Sequence, residues 1–137
     1  MKTFTFPKAE HLCLHSDVEA LFSPGSVSQT VFPLRATFRL VPYGGSGPRI
    51  QVLLSVSKRR LRHAVDRNRA KRQLREAYRL QKHLLLPAVP DGQALHVAFV
   101  WLHGRTVAQD QVFGRMHTLL QHMAERVAKS RSIPIQS

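Results

Sequence analysis

Between Lys58 and Arg79 the chain reads KRRLRHAVDRNRAKRQLREAYR, in which ten of 22 residues are Lys or Arg and only Asp66 and Glu76 oppose them. Arginine stays protonated throughout the physiological range, so such a run supplies no general base. What it supplies is charge-assisted hydrogen bonding to phosphate, bidentate where the planar guanidinium fork can close on two oxygens. With Val65 as the origin and a step of about 100° per residue, Ala70, Leu74, Ala77 and Tyr78 fall within one arc, wide enough to lie on a sheet. Asn68, Lys71, Arg72, Arg75, Arg79 and Lys82 fall together between about 240° and 340°, with no acid among them. Like charges three and four residues apart cost an isolated helix a few tenths of a kcal/mol each. A solvated face usually mixes its signs, and this one-signed arc is instead the footprint of a surface that meets a polyanion. Asn68, uncharged in that arc, can both donate and accept toward bases, sugars or a hydrated ion.

Other chemistry is poorly supported. The eight acids are dispersed, which argues against a carboxylate cluster for divalent metals and against autonomous nuclease activity of the polypeptide. His11 and His15 are four apart and could share a helical face, but no Cys, Asp or Glu joins them in a ligand set, so scattered surface histidines are expected and no protein metal site. The basic helix follows a strand rather than a short partner helix, which weighs against a helix-turn-helix and DNA.

The chain has 137 residues, enough for one domain and one core. Its 21 basic against 8 acidic residues give a net charge of +13, an imbalance that folding does not need and a nucleic-acid partner would use. No apolar run approaches the roughly 20 residues of a spanning helix, and MKTFTFPKAEHL lacks the apolar stretch of a signal peptide. Cys13 is alone and forms no internal disulfide, which agrees with a reducing compartment. The expectation is a soluble cytoplasmic protein with no membrane partner.

Elements that could carry the basic helix are legible on both sides of it. LCLHSDVEALF places Leu14, Val18, Leu21 and Phe22 on one side of a short helix closed by Ser23-Pro24-Gly25. VFPLRATFRLV alternates, with Phe32, Leu34, Ala36, Phe38 and Leu40 toward a core and Arg35, Thr37 and Arg39 away from it. PYGGSGP is a turn cluster, so IQVLLSVS is expected to return as the second strand of an antiparallel hairpin. HLLLPAVPDG ends the basic helix, ALHVAFVWL reads as a buried strand, and Gln109 to Val127 regains helical periodicity. Tyr78 and Trp101 are assigned to the core. The domain is expected to span residues 1–128, with 129–137 as a loose tail, and the strand reached through the long helix should run parallel to its partner. Helix, strand, strand, helix, strand, helix makes an α+β sandwich.

The run LSVSKRR followed by AVDRNRAKRQLREAYR resembles the protein component of bacterial ribonuclease P. The signature covers Ser55 to Lys58, Ala64, Val65, Arg67, Asn68, Arg69, Lys71, Arg72, Arg75, Glu76 and Arg79. FTFPKAEHL and VFPLR are similar to its Bacteroidota-type branch, and the element order agrees over about residues 5–128. The resemblance implies a single-domain sandwich like a domain of some ribosomal proteins, with a left-handed βαβ crossover that physics alone would not favour. It implies a subunit that, with ribonuclease P RNA, removes the 5′ leader of precursor tRNA, the catalytic centre and its Mg2+ being borne by the RNA in a bacterial cytoplasm. Lys58, Arg59, Arg67, Asn68, Arg69, Lys71, Arg72, Arg75 and Arg79 would then contact RNA. A cleft between the first helix and the sheet would take the leader, with Phe22 in an aromatic position, Val18 where Phe is frequent, and Arg35 near a frequent Tyr. Phe32 is assigned to the core. The competing class is a structural RNA-binding protein of ribosomal type, which need not carry the Arg-Asn-Arg signature.

Overall fold

The computed structural model describes residues 8–12 and 14–132. The expectations for the first seven residues, for Cys13 and for 133–137 lie outside the described residues. Four strands form one sheet: β1 (Val27–Val31), β2 (Leu34–Pro42), β3 (Ile50–Ser55) and β4 (Gln93–Trp101). Their spatial order is β1-β2-β4-β3, antiparallel except for the parallel pair β3 and β4. Helices α1 (His15–Leu21), α2 (Ala64–Gln81) and α3 (Gln109–Ser132) complete the α+β fold.

Alternation along the strands sets the layers. Leu34, Ala36 and Phe38 on β2, Val52 on β3, and Leu95, Val97, Phe99 and Trp101 on β4 point to one face. There they meet Ala70, Leu74, Ala77 and Tyr78 of α2 and Val112, Met116, Leu119, Leu120, Met123 and Val127 of α3. Tyr78 and Phe99 pack with ring centroids 5.5 Å apart, a favourable tilted geometry. The apolar arc expected of α2 is thus its buried face, and Tyr78 and Trp101 are core residues as expected. A smaller apolar cluster on the opposite face of the sheet joins Leu12, Leu21 and Ala98 with Val18, Leu53 and Val100, and seats α1.

Two readings of the strands are corrected. VFPLRATFRLV is not one strand: it turns at Phe32-Pro33, and the residues before the turn form β1. Nor do β2 and β3 make a hairpin, since β4 lies between them, paired with both. The parallel pairing through the long helix is as expected: Ile50 to Ser55 run alongside Leu95 to Val100 with α2 as the connection. The final helix continues to Ser132, four residues beyond the expected domain boundary at 128. Phe32 is 57% exposed and not a core residue, because it occupies the turn rather than the inward face of a strand.

Candidate nucleic-acid interface

α2 begins where an anchored loop delivers it. Val56 and Leu61 are buried, and the Leu61 N–H donates to the Ser57 carbonyl at 3.1 Å, so the segment after β3 is anchored at both ends. His63 precedes the helix without a side-chain cap. Instead the Arg67 guanidinium reaches back and donates to the carbonyls of Leu61 at 3.0 Å and Arg62 at 2.8 Å. Asp66 in the first turn faces the positive end of the helix dipole. Loop residues Lys58, Arg59, Arg60 and Arg62 are all exposed beside this helix start.

Along α2 the cations divide by partner. Asn68, Arg69, Arg72 and Arg75 are exposed and Lys71 is half-buried, so most of the arc faces solvent with the apolar arc behind it. Arg79 is paired with Glu76 one turn earlier, a residue just outside the cationic arc. The hydrogen bond from Arg79 holds the Glu76 carboxyl below its ordinary range, and Glu76 in turn raises the guanidinium. Lys82 donates to both carboxylate oxygens of Glu10 at 2.9 and 3.1 Å, tying the N-terminal segment to the end of α2. The arc is therefore least neutralised from Asn68 to Arg75 and closes against acids at its C-terminal end.

Two buried amides tie α2 to α3 and to the segment just before it. Gln73 donates to the Val107 carbonyl at 2.7 Å, and Gln81 donates to the Phe113 carbonyl at 3.0 Å while its oxygen lies 2.9 Å from Nδ1 of His117. These bonds resist rotation of the helix, which keeps its basic side aimed outward.

The expected leader cleft maps to the other face. Val18 is half-buried in the α1 cluster together with Val100, the cross-strand neighbour of Arg35 on β2. Phe22 lies at the end of α1 and is 53% exposed. Arg39 donates to the Ala20 carbonyl at 2.8 Å, a cation at a helix C-terminus, and holds that end of α1 on β2. Arg35 is exposed four residues from Arg39, roughly 13 Å along the strand. Val18 and Arg35 therefore lie on the same face of the sheet, while Phe22 marks the opposite end of a strip that α1 leaves uncovered, with Ser28 and Thr30 of β1 also exposed on it. His11 lies in a β-bridge with Val52 and His15 pairs with Glu19 on α1, so the two histidines do not share a helix.

The model of the ribonuclease P family matches residues 6–124. The chain belongs to that family. A ribonuclease P protein component from Porphyromonas gingivalis is 44% identical over 94 residues, covering 66% of this chain; the chain spans 65% of that relative's length. The corresponding protein component of Chlorobaculum tepidum is 31% identical over 140 residues, 95% of this chain and 87% of the relative. Among solved structures, the ribonuclease P protein of Thermotoga maritima matches with a TM-score of 0.61 at 21% identity, covering 82% of this chain and 96% of that one. The Staphylococcus aureus ribonuclease P protein gives 0.56 at 19% identity, covering 87% and 95%. These structural matches establish the fold of a ribonuclease P protein for this chain.

The structure brings exposed Arg60, Arg62, Phe32 and Arg105 and half-buried His103 to the same end of the sheet as the start of α2; sequence reasoning named none of them as site residues and assigned Phe32 to the core. The signal for Phe32 was Pro33, which breaks a strand pattern at the residue it follows.

Proposed function

We propose that this chain is the protein subunit of ribonuclease P, which acts with a catalytic RNA to remove the 5′ leader of precursor tRNA by endonucleolytic hydrolysis. The observation that carries this reading is the exposed, unmixed cation face of α2 from Asn68 to Arg75, built on the family's own signature segment. Lys58, Arg59, Arg69, Lys71, Arg72 and Arg75 meet RNA phosphates in this reading. Asn68 meets sugar, base edge or a hydrated ion, and Arg79 extends the surface through its pair with Glu76. Arg67 enters through the loop it holds. The strip beside α1, with Val18, Phe22 and Arg35, takes the single-stranded leader.

Among the described residues no three His, Cys, Asp or Glu side chains come together as a metal site. In this reading Mg2+ is assigned to the RNA, and no step of hydrolysis is assigned to a side chain of the polypeptide. The protein's contribution is charge and position: cations placed between two polyanions lower their mutual repulsion and raise the local affinity of substrate for enzyme. Among the described residues no helix is long and apolar enough to cross a membrane, and a bacterial cytoplasmic setting belongs to the same proposal.

The test combines the purified chain, ribonuclease P RNA from the same organism and a 5′-extended precursor tRNA at low magnesium. Site-specific leader removal is expected with both components and not with the protein alone, and Arg72→Glu should weaken it. No stimulation by a folded protein would favour a structural RNA-binding role instead, and cleavage without the RNA would overturn the assignment of catalysis.

A further inference from the structure

Three loops converge at the end of the sheet from which α2 departs. The Leu102 N–H donates to the Pro33 carbonyl at 2.8 Å, joining the segment after β4 to the β1–β2 turn. A Cβ on Gly104 would lie 3.7 Å from the Arg60 carbonyl, so the same segment also touches the loop before α2. At this junction Phe32 and His103 pair with ring centroids 5.3 Å apart and planes tilted by 44°. The Arg105 N–H donates to Nδ1 of His103 at 3.1 Å, which orients the imidazole and leaves the proton of its neutral form on Nε2.

More than half of Phe32 remains in water, although a buried ring would stabilise the fold. A single exposed phenylalanine is ordinary. This one is held against a second ring, with exposed Arg105 two residues after that ring and exposed Arg59, Arg60 and Arg62 on the loop that Gly104 approaches. Residues 31–33, 56–63 and 102–108 contain no Asp or Glu. An apolar partner would leave those cations desolvated and unpaired. A nucleotide offers both a flat base for the ring and a phosphate for the guanidinium groups. The site also continues the open strip on the outer sheet face, since Arg35 follows the turn by two residues.

We propose that Phe32, supported by His103, is a stacking platform for an unpaired nucleotide of the leader, with Arg60 and Arg105 on the adjoining phosphates. The choice of the leader rests on the functional reading above; the platform itself rests on the ring pair and its cationic border. It lies off the α1 cleft and adds a contact at the far end of the strip.

The test uses the full chain with a single-stranded RNA oligonucleotide of leader sequence carrying 2-aminopurine, and the reconstituted complex with precursor and mature tRNA. Phe32→Ala should weaken oligonucleotide binding by ~5- to 100-fold and lose the 2-aminopurine quenching, the range expected for one stacked base. Its salt dependence should match the wild type, because no phosphate contact is lost. Phe32→Trp should restore affinity, and in the complex Phe32→Ala should narrow the preference for precursor over mature tRNA. Wild-type binding by Phe32→Ala would overturn the proposal, as would a Phe32→Trp protein as weak as the alanine variant. Equal weakening toward precursor and mature tRNA would also overturn it, by moving the ring onto the catalytic RNA. Phe32-dependent oligonucleotide binding by a chain that fails to support leader removal would leave the platform standing and remove the functional reading.

Discussion

Lys71, Arg72 and Arg75 carry the same sign of charge as Arg67 and Arg79, yet their surroundings assign them different work. Lys71, Arg72 and Arg75 lie in the least neutralised stretch of the arc, so alanine at any one of them should lower the slope of log affinity against log salt by about 0.7 to 0.9 for RNA binding. Fluorescence titrations over a range of salt would measure this, and unchanged slopes would remove the phosphate assignment. Arg67 holds two loop carbonyls, so Arg67→Ala should loosen the helix start and lower stability while altering the slope less than Arg72→Ala does. A second prediction concerns His96, which is 8% exposed on the outer face. Burial lowers its pKa below the ordinary value, opposed by nearby Asp17 and aided by Arg39. The unfolded chain therefore takes up the proton first as pH falls from about 6.5, and stability should decline between there and the lower folded value. Urea unfolding at pH 7 and pH 5 should show a smaller loss for His96→Gln than for the wild type; equal losses would exclude His96 as a source of the dependence.

At the scale of elements, the apolar arc of α2 and the long α3 could be read directly from their periodicity, because 3.6-residue patterns survive any tertiary arrangement. Strand neighbours could not be read the same way. IQVLLSVS and VFPLRATFRLV are consecutive, and sequential strands commonly pair, but here β4 inserts between them. The compositional hint was present: ALHVAFVWL is apolar on both faces, which suits a central strand, while β3 has several half-buried positions and suits an edge. Of the candidate site, the basic face was legible because it lies on one helix. The Phe32 platform was not, because its parts come from a turn and two loops distant in sequence. The Gln81 amide was also unforeseen, a polar residue inside an interface whose partners lie on another helix. Gln81→Leu should cost about 1 to 3 kcal/mol by leaving His117 without its amide partner and removing the second bond to the Phe113 carbonyl. Thermal unfolding would measure the loss. Near-wild-type stability would mean that water replaces the amide at no cost.

Taken whole, the molecule sets a main core and a smaller apolar cluster on the other face of the sheet against a net charge of +13. The acids that might temper that charge are partly committed to local pairs: Glu10 to Lys82, Glu76 to Arg79 and Glu19 to His15. Self-repulsion then weighs on the folded state, where the cations of α2 and the adjoining loop are held close, more than on an expanded chain. An anion that binds this surface stabilises the native state by mass action, whereas general screening needs only ionic strength. The two effects separate experimentally. Sulfate should raise the Tm at low ionic strength more than chloride does at matched ionic strength, but sulfate also strengthens apolar burial at high concentration, so the comparison belongs in the millimolar range. Replacing Lys71, Arg72 and Arg75 together with alanine should raise the Tm in the absence of sulfate and reduce the response to it, since the same groups both repel one another and bind the anion. A triple variant with unchanged sulfate response would place the anion site elsewhere. Equal shifts from sulfate and matched chloride in the wild type would reduce the effect to screening, with no preferred anion-binding face on the free protein.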